Sequence, residues 1–123
     1  MIAQPRPETA ATPFVLPALA ADLPQSWKST AVAAVAGARL KLLRMDTRLH
    51  PHEVHDHDEA LLVVDGRLLL EVEGKAVTVD AGELYVVPAG TVHGVAAGSH
   101  GTLLVIDPQP LRLEEISYAA RLL

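Results

Sequence analysis

Along most of the middle of this chain, apolar and polar residues alternate with a period of two, and the pattern breaks at turn-forming residues. Arg39-Leu40-Lys41-Leu42 alternates until Leu43 breaks the register. Leu61 to Val64 is a continuous apolar run of the kind a buried strand uses. It meets Asp65-Gly66, the strongest two-residue hairpin signal in the chain. Leu68, Leu70 and Val72 then share one face, and Glu71 and Glu73 share the other. Gly74-Lys75 turns the chain into Val77 and Val79, which alternate with Thr78 and Asp80. Ala81-Gly82 turns it again into Leu84 to Val87. Ala31 to Ala36, ending at Gly37, and Thr102 to Ile106 supply the first and last strands. Short strands with turns at this spacing predict an all-β antiparallel sandwich or barrel rather than alternating strands and helices.

The two ends differ from this middle. Residues 1 to about 30 carry Pro5, Pro7, Pro13, Pro17 and Pro24 among Ala and Thr, which favours neither helix nor strand. An extended N-terminal arm is expected, with Phe14, Val15, Leu16, Leu19 and Leu23 docking its second half. Residues 31–107 then form the barrel. After Pro110, the spacing of Leu113, Ile116, Ala120 and Leu123 predicts a short C-terminal helix over part of 108–123. No internal repeat or second domain is apparent.

Composition narrows the chemistry. Half of the 123 residues are apolar, but aromatics are limited to Phe14, Trp27, Tyr85 and Tyr118, so Val, Leu and Ala must build the core. Ten basic against fifteen acidic residues, with no basic cluster, argue against nucleic acid as a partner. The absence of cysteine excludes disulfides, thiolate metal sites and a cysteine nucleophile. No stretch approaches the ~20 apolar residues that span a bilayer. Pro13 and Pro17 interrupt the one apolar patch near the N-terminus, so a cytoplasmic protein without a membrane partner is expected.

The candidate chemistry lies between Glu53 and His93. Glu53, His55, His57 and Glu59 share one parity, yet a continuous strand would set Glu53 and Glu59 roughly 20 Å apart. They approach one ion only if the chain reverses, and Asp56-His57-Asp58 suits a reversal because Asp bonds readily to turn backbone. His55 would then end one strand and Glu59 begin its neighbour, with His57 at the tip in solvent. His93 follows the Pro88-Ala89-Gly90 turn, which aims its strand back across the barrel. Two imidazoles and a carboxylate from three strands suit one divalent Fe, Mn, Ni, Cu or Zn ion with positions left open.

Two motifs here resemble those of the cupin superfamily. Gly82-x5-Pro88-x-Gly90-x2-His93 is similar to the second cupin motif except at its end, where Ala97 replaces Asn. His55, Glu59 and Gly66 are similar to the first motif, whose opening histidine is replaced by Glu53. The short separation of Gly66 from Gly82 resembles that of small microbial cupins. The resemblance implies a conserved jelly-roll-like barrel, usually dimeric, with a divalent metal in its mouth. By position it implies His55, Glu59 and His93 as ligands, with Glu53 in place of a histidine. Glu53 as fourth ligand would harden the site towards Mn or Fe. It could instead take a hydrogen bond from a ligand histidine, or serve as a general base. A second register uses His50 and His52, from which a bulge at Glu53 or Val54 would bring only His52 inward. His100 is expected in a surface turn.

The fold implies no single reaction. The expectation is a metal-dependent enzyme of dioxygenase, isomerase or lyase type acting on a small polar metabolite. A non-catalytic ligand-binding or sensing barrel is the alternative. The partners expected are a small molecule and a second copy of the chain, since barrel edges need covering.

Overall fold

The structure, a computed structural model, describes residues 12–110; the predicted C-terminal helix therefore lies outside the described residues. Among the described residues, one short helix precedes eight strands: α1 (Leu16–Ala21), β1 (Thr30–Val35), β2 (Ala38–Met45), β3 (His50–Glu53) and β4 (Glu59–Val72). They are followed by β5 (Lys75–Asp80), β6 (Leu84–Val87), β7 (His93–Val95) and β8 (His100–Pro108). The fold is all-β and every strand pairing is antiparallel. The sheet runs β1-β2-β8-β4-β7-β3, and β5 and β6 also pair with β4.

The 14-residue β4 organises this barrel. Its first half pairs with β6 and β8, and its second half with β5 and β7. Asp65-Gly66, expected as a hairpin turn, lies inside β4, where the register with β8 shifts between Val63 and Asp65. The sequence signal was a bulge, which bends a strand without ending it. Close approach explains the glycine: a Cβ on Gly66 would collide with the His100 carbonyl oxygen on β8. True hairpin turns occur at Ala36-Gly37 and Glu73-Gly74, where both central residues have positive φ, as a type I′ turn requires.

Leu43, Leu61, Val63, Leu68, Leu70 and Leu103 fill the barrel interior. A second cluster lies outside it, where Ala20 of α1 meets Leu42 and Leu104. β2 thus buries Leu42 on one face and Leu43 on the other, which is why its alternation breaks at this pair. Each such fully buried side chain contributes about 1.5–3 kcal/mol.

The N-terminal arm is not wholly extended. Pro17, in the first turn of α1, suits a helix start because its missing N–H would be unpaired there anyway. Arg44 donates from Nη1 to the carbonyls of Ala20 (3.2 Å) and Leu23 (2.6 Å), satisfying the end of the helix. Of the apolar residues expected to dock, Leu16 packs on the outer cluster, whereas Phe14, Val15 and Leu19 are exposed. Past α1, the Trp27 indole donates to Asp46 Oδ1 (2.9 Å), and its backbone N–H donates to the Arg44 carbonyl (2.8 Å). These bonds pin Trp27 across the barrel opening.

Candidate metal centre

Histidine 93 begins β7 and pairs directly with Glu53 on β3 and with Val72 on β4. The residue is 4 % exposed, which removes nearly all competition from water. The Nδ1 edge donates to the Thr91 carbonyl oxygen at 2.9 Å. That bond fixes the tautomer, so Nε2 carries a lone pair and points into the barrel mouth. Among the described residues, Nε2 is buried without a hydrogen-bond partner. A buried unpaired polar atom costs about 1–3 kcal/mol, so this one calls for a partner.

The groups facing Nε2 belong to Glu53, His55 and Glu59. Glu53 Oε1 lies 3.9 Å from His93 Nε2 and 3.3 Å from His55 Nε2. Glu59 straddles the two rings, with Oε1 3.5 Å from His93 Nε2 and Oε2 3.9 Å from His55 Nε2. Donor atoms of Glu53, His55 and His93 all lie within 4.8 Å of one another. Charge-assisted hydrogen bonds would draw such atoms to ~2.7–2.9 Å. Donors around one ion at ~2.1 Å stand about 3.0–3.4 Å apart in octahedral or tetrahedral geometry. The observed spacing is therefore closer to a set around a central ion than to one of direct contacts.

The connecting segments hold the set in place. β3 ends at Glu53 rather than at His55 and pairs with β7, so β3 and the start of β4 are not paired neighbours as expected. His55 stands instead in the 54–58 connection, which is tied to the 88–90 turn. There Gly90 N–H donates to the His55 carbonyl (2.8 Å), and Ala89 N–H to Asp58 Oδ1 (2.9 Å). His57 is half-buried rather than free in solvent, with its ring stacked on that of His55 at 5.1 Å and 7°.

The alternative histidines fall elsewhere. His52 faces outward, with Nε2 3.5 Å from Glu71 Oε1 and its ring over Gly94. The register shift lies between His50 and Glu53, and it is His50, not His52, that lines the cavity. The His50 ring lies 4.3 Å from that of Trp27. His100 opens β8 as an exposed strand residue rather than a turn.

Below the cluster, a cavity of about 310 Å³ runs into the barrel between Glu53, Glu59 and His93 at the mouth and Leu68 and Leu103 within. Lys41 and Trp27 also line it. The sequence singled out neither for the site: Lys41 stood only as a polar position of an alternating strand, and Trp27 lay in the N-terminal arm.

A family model described as the cupin domain matches residues 44–107, which is 64 of the 123 residues. Curated protein sequences give no match. Among solved structures, a cupin-2 domain protein from Shewanella frigidimarina is similar at 27 % identity with a TM-score of 0.66. That match covers 71 % of this chain and 85 % of the other. A cupin superfamily protein from Desulfitobacterium hafniense is similar at 18 % identity and TM-score 0.66, covering 81 % and 93 %. A hydroquinone 1,2-dioxygenase, solved with Cd2+ and 4-hydroxybenzonitrile, has 18 % identity and TM-score 0.64, covering 76 % and 70 %. The last two likenesses speak to the fold alone. The family match spans both the strand that carries Glu59 and the turn that delivers His93, and on that ground this chain belongs to the cupin-domain family.

Proposed function

We propose that this chain is a metal-dependent enzyme acting on a small polar metabolite, with Glu53, His55, Glu59 and His93 holding one divalent transition metal. The observation that carries the reading is His93 Nε2: buried, unpartnered among the described residues and aimed at two carboxylates and a second imidazole. When bound, a divalent ion of this kind supplies Lewis acidity towards a carbonyl or alkoxide oxygen, or redox chemistry towards dioxygen. A dioxygenase of the same fold is among the structural neighbours, and the isomerase and lyase classes fit the same open arrangement.

The chain's own residues divide the remaining work. Thr91 orients His93, and the bond from Gly90 to the His55 carbonyl orients His55. Glu59, with its side chain 12 % exposed, reaches both rings from beneath. Glu53, at 62 %, meets the solvent side of the set. In the alternative arrangement, with His55, Glu59 and His93 as the ligands and Glu53 outside the set, Glu53 is the carboxylate placed to exchange a proton with a substrate at the mouth, as a general base. Trp27 and the leucines of the barrel line the cavity beside the set.

Elemental analysis of the untagged protein tests this reading. About one Fe, Mn, Ni, Cu or Zn per chain, lost in His93→Ala, is the expected result. No uptake of any of the five would overturn it and leave a binding or sensing barrel. Homodimerisation is part of the same reading. Leu84 and Val86 of β6 stand exposed on a strand that pairs only with β4 among the described residues. Light scattering measures it directly.

A further inference from the structure

The inner wall of the cavity carries a second polar group that the metal reading leaves unused. Lys41 on β2 lines the cavity, and its Nζ lies 2.6 Å from Asp107 Oδ2. Asp107 is 4 % exposed and is also held by Arg39, through Nε to Oδ1 at 2.9 Å and Nη2 to Oδ2 at 3.4 Å. Two cations thus share one carboxylate, leaving an excess of one positive charge on the wall. Arg39 alone occupies both oxygens of Asp107. Lys41 has three N–H donors, and among the described residues Asp107 is its one polar partner. Its remaining donors are free to face the cavity.

Register fixes where this charge stands relative to the mouth. Lys41 pairs with Val105, and Val105 with Leu61, so the three form one row across β2, β8 and β4. Glu59 lies two residues from Leu61 on the same inner face. Two residues along a strand and two strands across give about 12 Å between the Cα atoms of Lys41 and Glu59. Leu43, Leu61, Leu103 and Val105 line the wall between them. The cavity volume of about 310 Å³ equals roughly ten waters at ~30 Å³ each.

We infer that Lys41 is the anion-binding residue of this cavity, and that the substrate is a short-chain monocarboxylic acid with a carbonyl or hydroxyl oxygen at its far end. The acid group takes the free donors of Lys41, the aliphatic body lies on the leucines and valines, and the distal oxygen reaches the metal set. A single excess positive charge suits a monoanion rather than a phosphate dianion. This assignment rests on the metal reading for the distal oxygen but not for the acid.

Trp27 is the only tryptophan in the chain and lines the cavity, so its fluorescence reports binding there. The probes are 4-oxopentanoate and its uncharged analogue 4-oxopentanamide, titrated into metal-loaded protein of measured metal content. The acid is expected to bind ten- to hundredfold tighter than the amide, the worth of a charge-assisted hydrogen bond. Lys41→Met should erase that preference at unchanged metal content, and Lys41→Arg should retain most of it. Arg39 still pairs Asp107 in both variants, and circular dichroism confirms that they fold. Equal binding of acid and amide, or an undiminished preference in Lys41→Met, would overturn the assignment. Inorganic phosphate displacing the probe at lower concentration than acetate would transfer the site to phosphate and overturn the carboxylate assignment. If the protein takes up no metal, the metal reading fails by itself. An acid preference in the metal-free protein that vanishes in Lys41→Met then still supports Lys41, and its absence overturns it.

Discussion

Two buried polar clusters face the inside of this barrel, and they are built to opposite rules. Around Asp107 both carboxylate oxygens are taken, by Lys41 at 2.6 Å and Arg39 at 2.9 Å. Around His93 the neighbours stand back at 3.5 and 3.9 Å, and Nε2 has no hydrogen-bond partner among the described residues. Both Asp107 and His93 are 4 % exposed, so burial does not distinguish them. Distance does. The contacts that close both oxygens of the Asp107 carboxylate stabilise the fold as it stands, whereas the open ring around His93 leaves room for an added group.

The largest effect expected from this contrast is on stability. Asp107→Ala strands two cations on the barrel wall and should cost about 3 kcal/mol. That is the low end for a broken buried pair, because the Arg39 side chain is 33 % exposed. For a domain of this size the melting temperature should fall by roughly 10–15 °C. His93→Ala in metal-free protein should cost only about 1–2 kcal/mol, since it removes an unpaired group along with its packing. Equal losses in the two variants would erase the distinction between the clusters.

Metal affinity should invert that order. His93→Ala is expected to lower it at least a hundredfold, beyond what changes outside the ligand set achieve, while Asp107→Ala leaves it within a fewfold. Competition with a chromogenic chelator measures both.

Acid separates the clusters further. Burial raises the Asp107 carboxyl pKa, but hydrogen bonds from Arg39 and Lys41 outweigh it and hold the group below its ordinary value. A carboxyl lowered in the folded state contributes stability above its unfolded pKa of ~3.9, lost as pH falls through the folded value. Denaturant melts should therefore show stability falling below about pH 4, and Asp107→Ala should flatten that limb. Asp46 is also lowered, chiefly by its hydrogen bond from Arg48, so part of the slope should survive the substitution.

The smallest effects concern the histidines beside the set. His57→Ala removes a ring stacked on His55 and should weaken metal binding no more than severalfold. His52→Ala, on the outer face, should leave it unchanged. A large loss in His52→Ala would place the wrong histidine in the cluster.

Much of this architecture was legible in the sequence, for reasons that also explain the failures. The strands around Leu68 and Val77 and the turns near Gly74 and Gly82 follow from a period of two with one buried face. The rule misled at β2, whose outer face is covered by α1 and whose inner face lines the cavity. With both faces buried, polarity no longer marks the outside, and the alternation alone did not mark Lys41 as a cavity residue. Asp65-Gly66 misled because a bulge and a tight turn draw on the same residues. Glu53, Glu59 and His93 stood out by type and spacing. That Glu53 would pair directly with His93, and that His50 would line the cavity, depended on strand partners far along the chain.

Strand β4 also sets a schedule. Each of its four partners, β5, β6, β7 and β8, comes later in the sequence, and the last pairing joins Ala60 to Ile106. Only the β4–β5 hairpin closes locally; the remaining contacts close loops of tens of residues before any burial rewards them. Proteins dominated by such non-local pairings fold in milliseconds to seconds rather than microseconds. The first half of β4 can pair with β6 on one edge, but its other edge, along Leu61 to Val64, stays open until β8 arrives, and aggregation competes with folding during that interval.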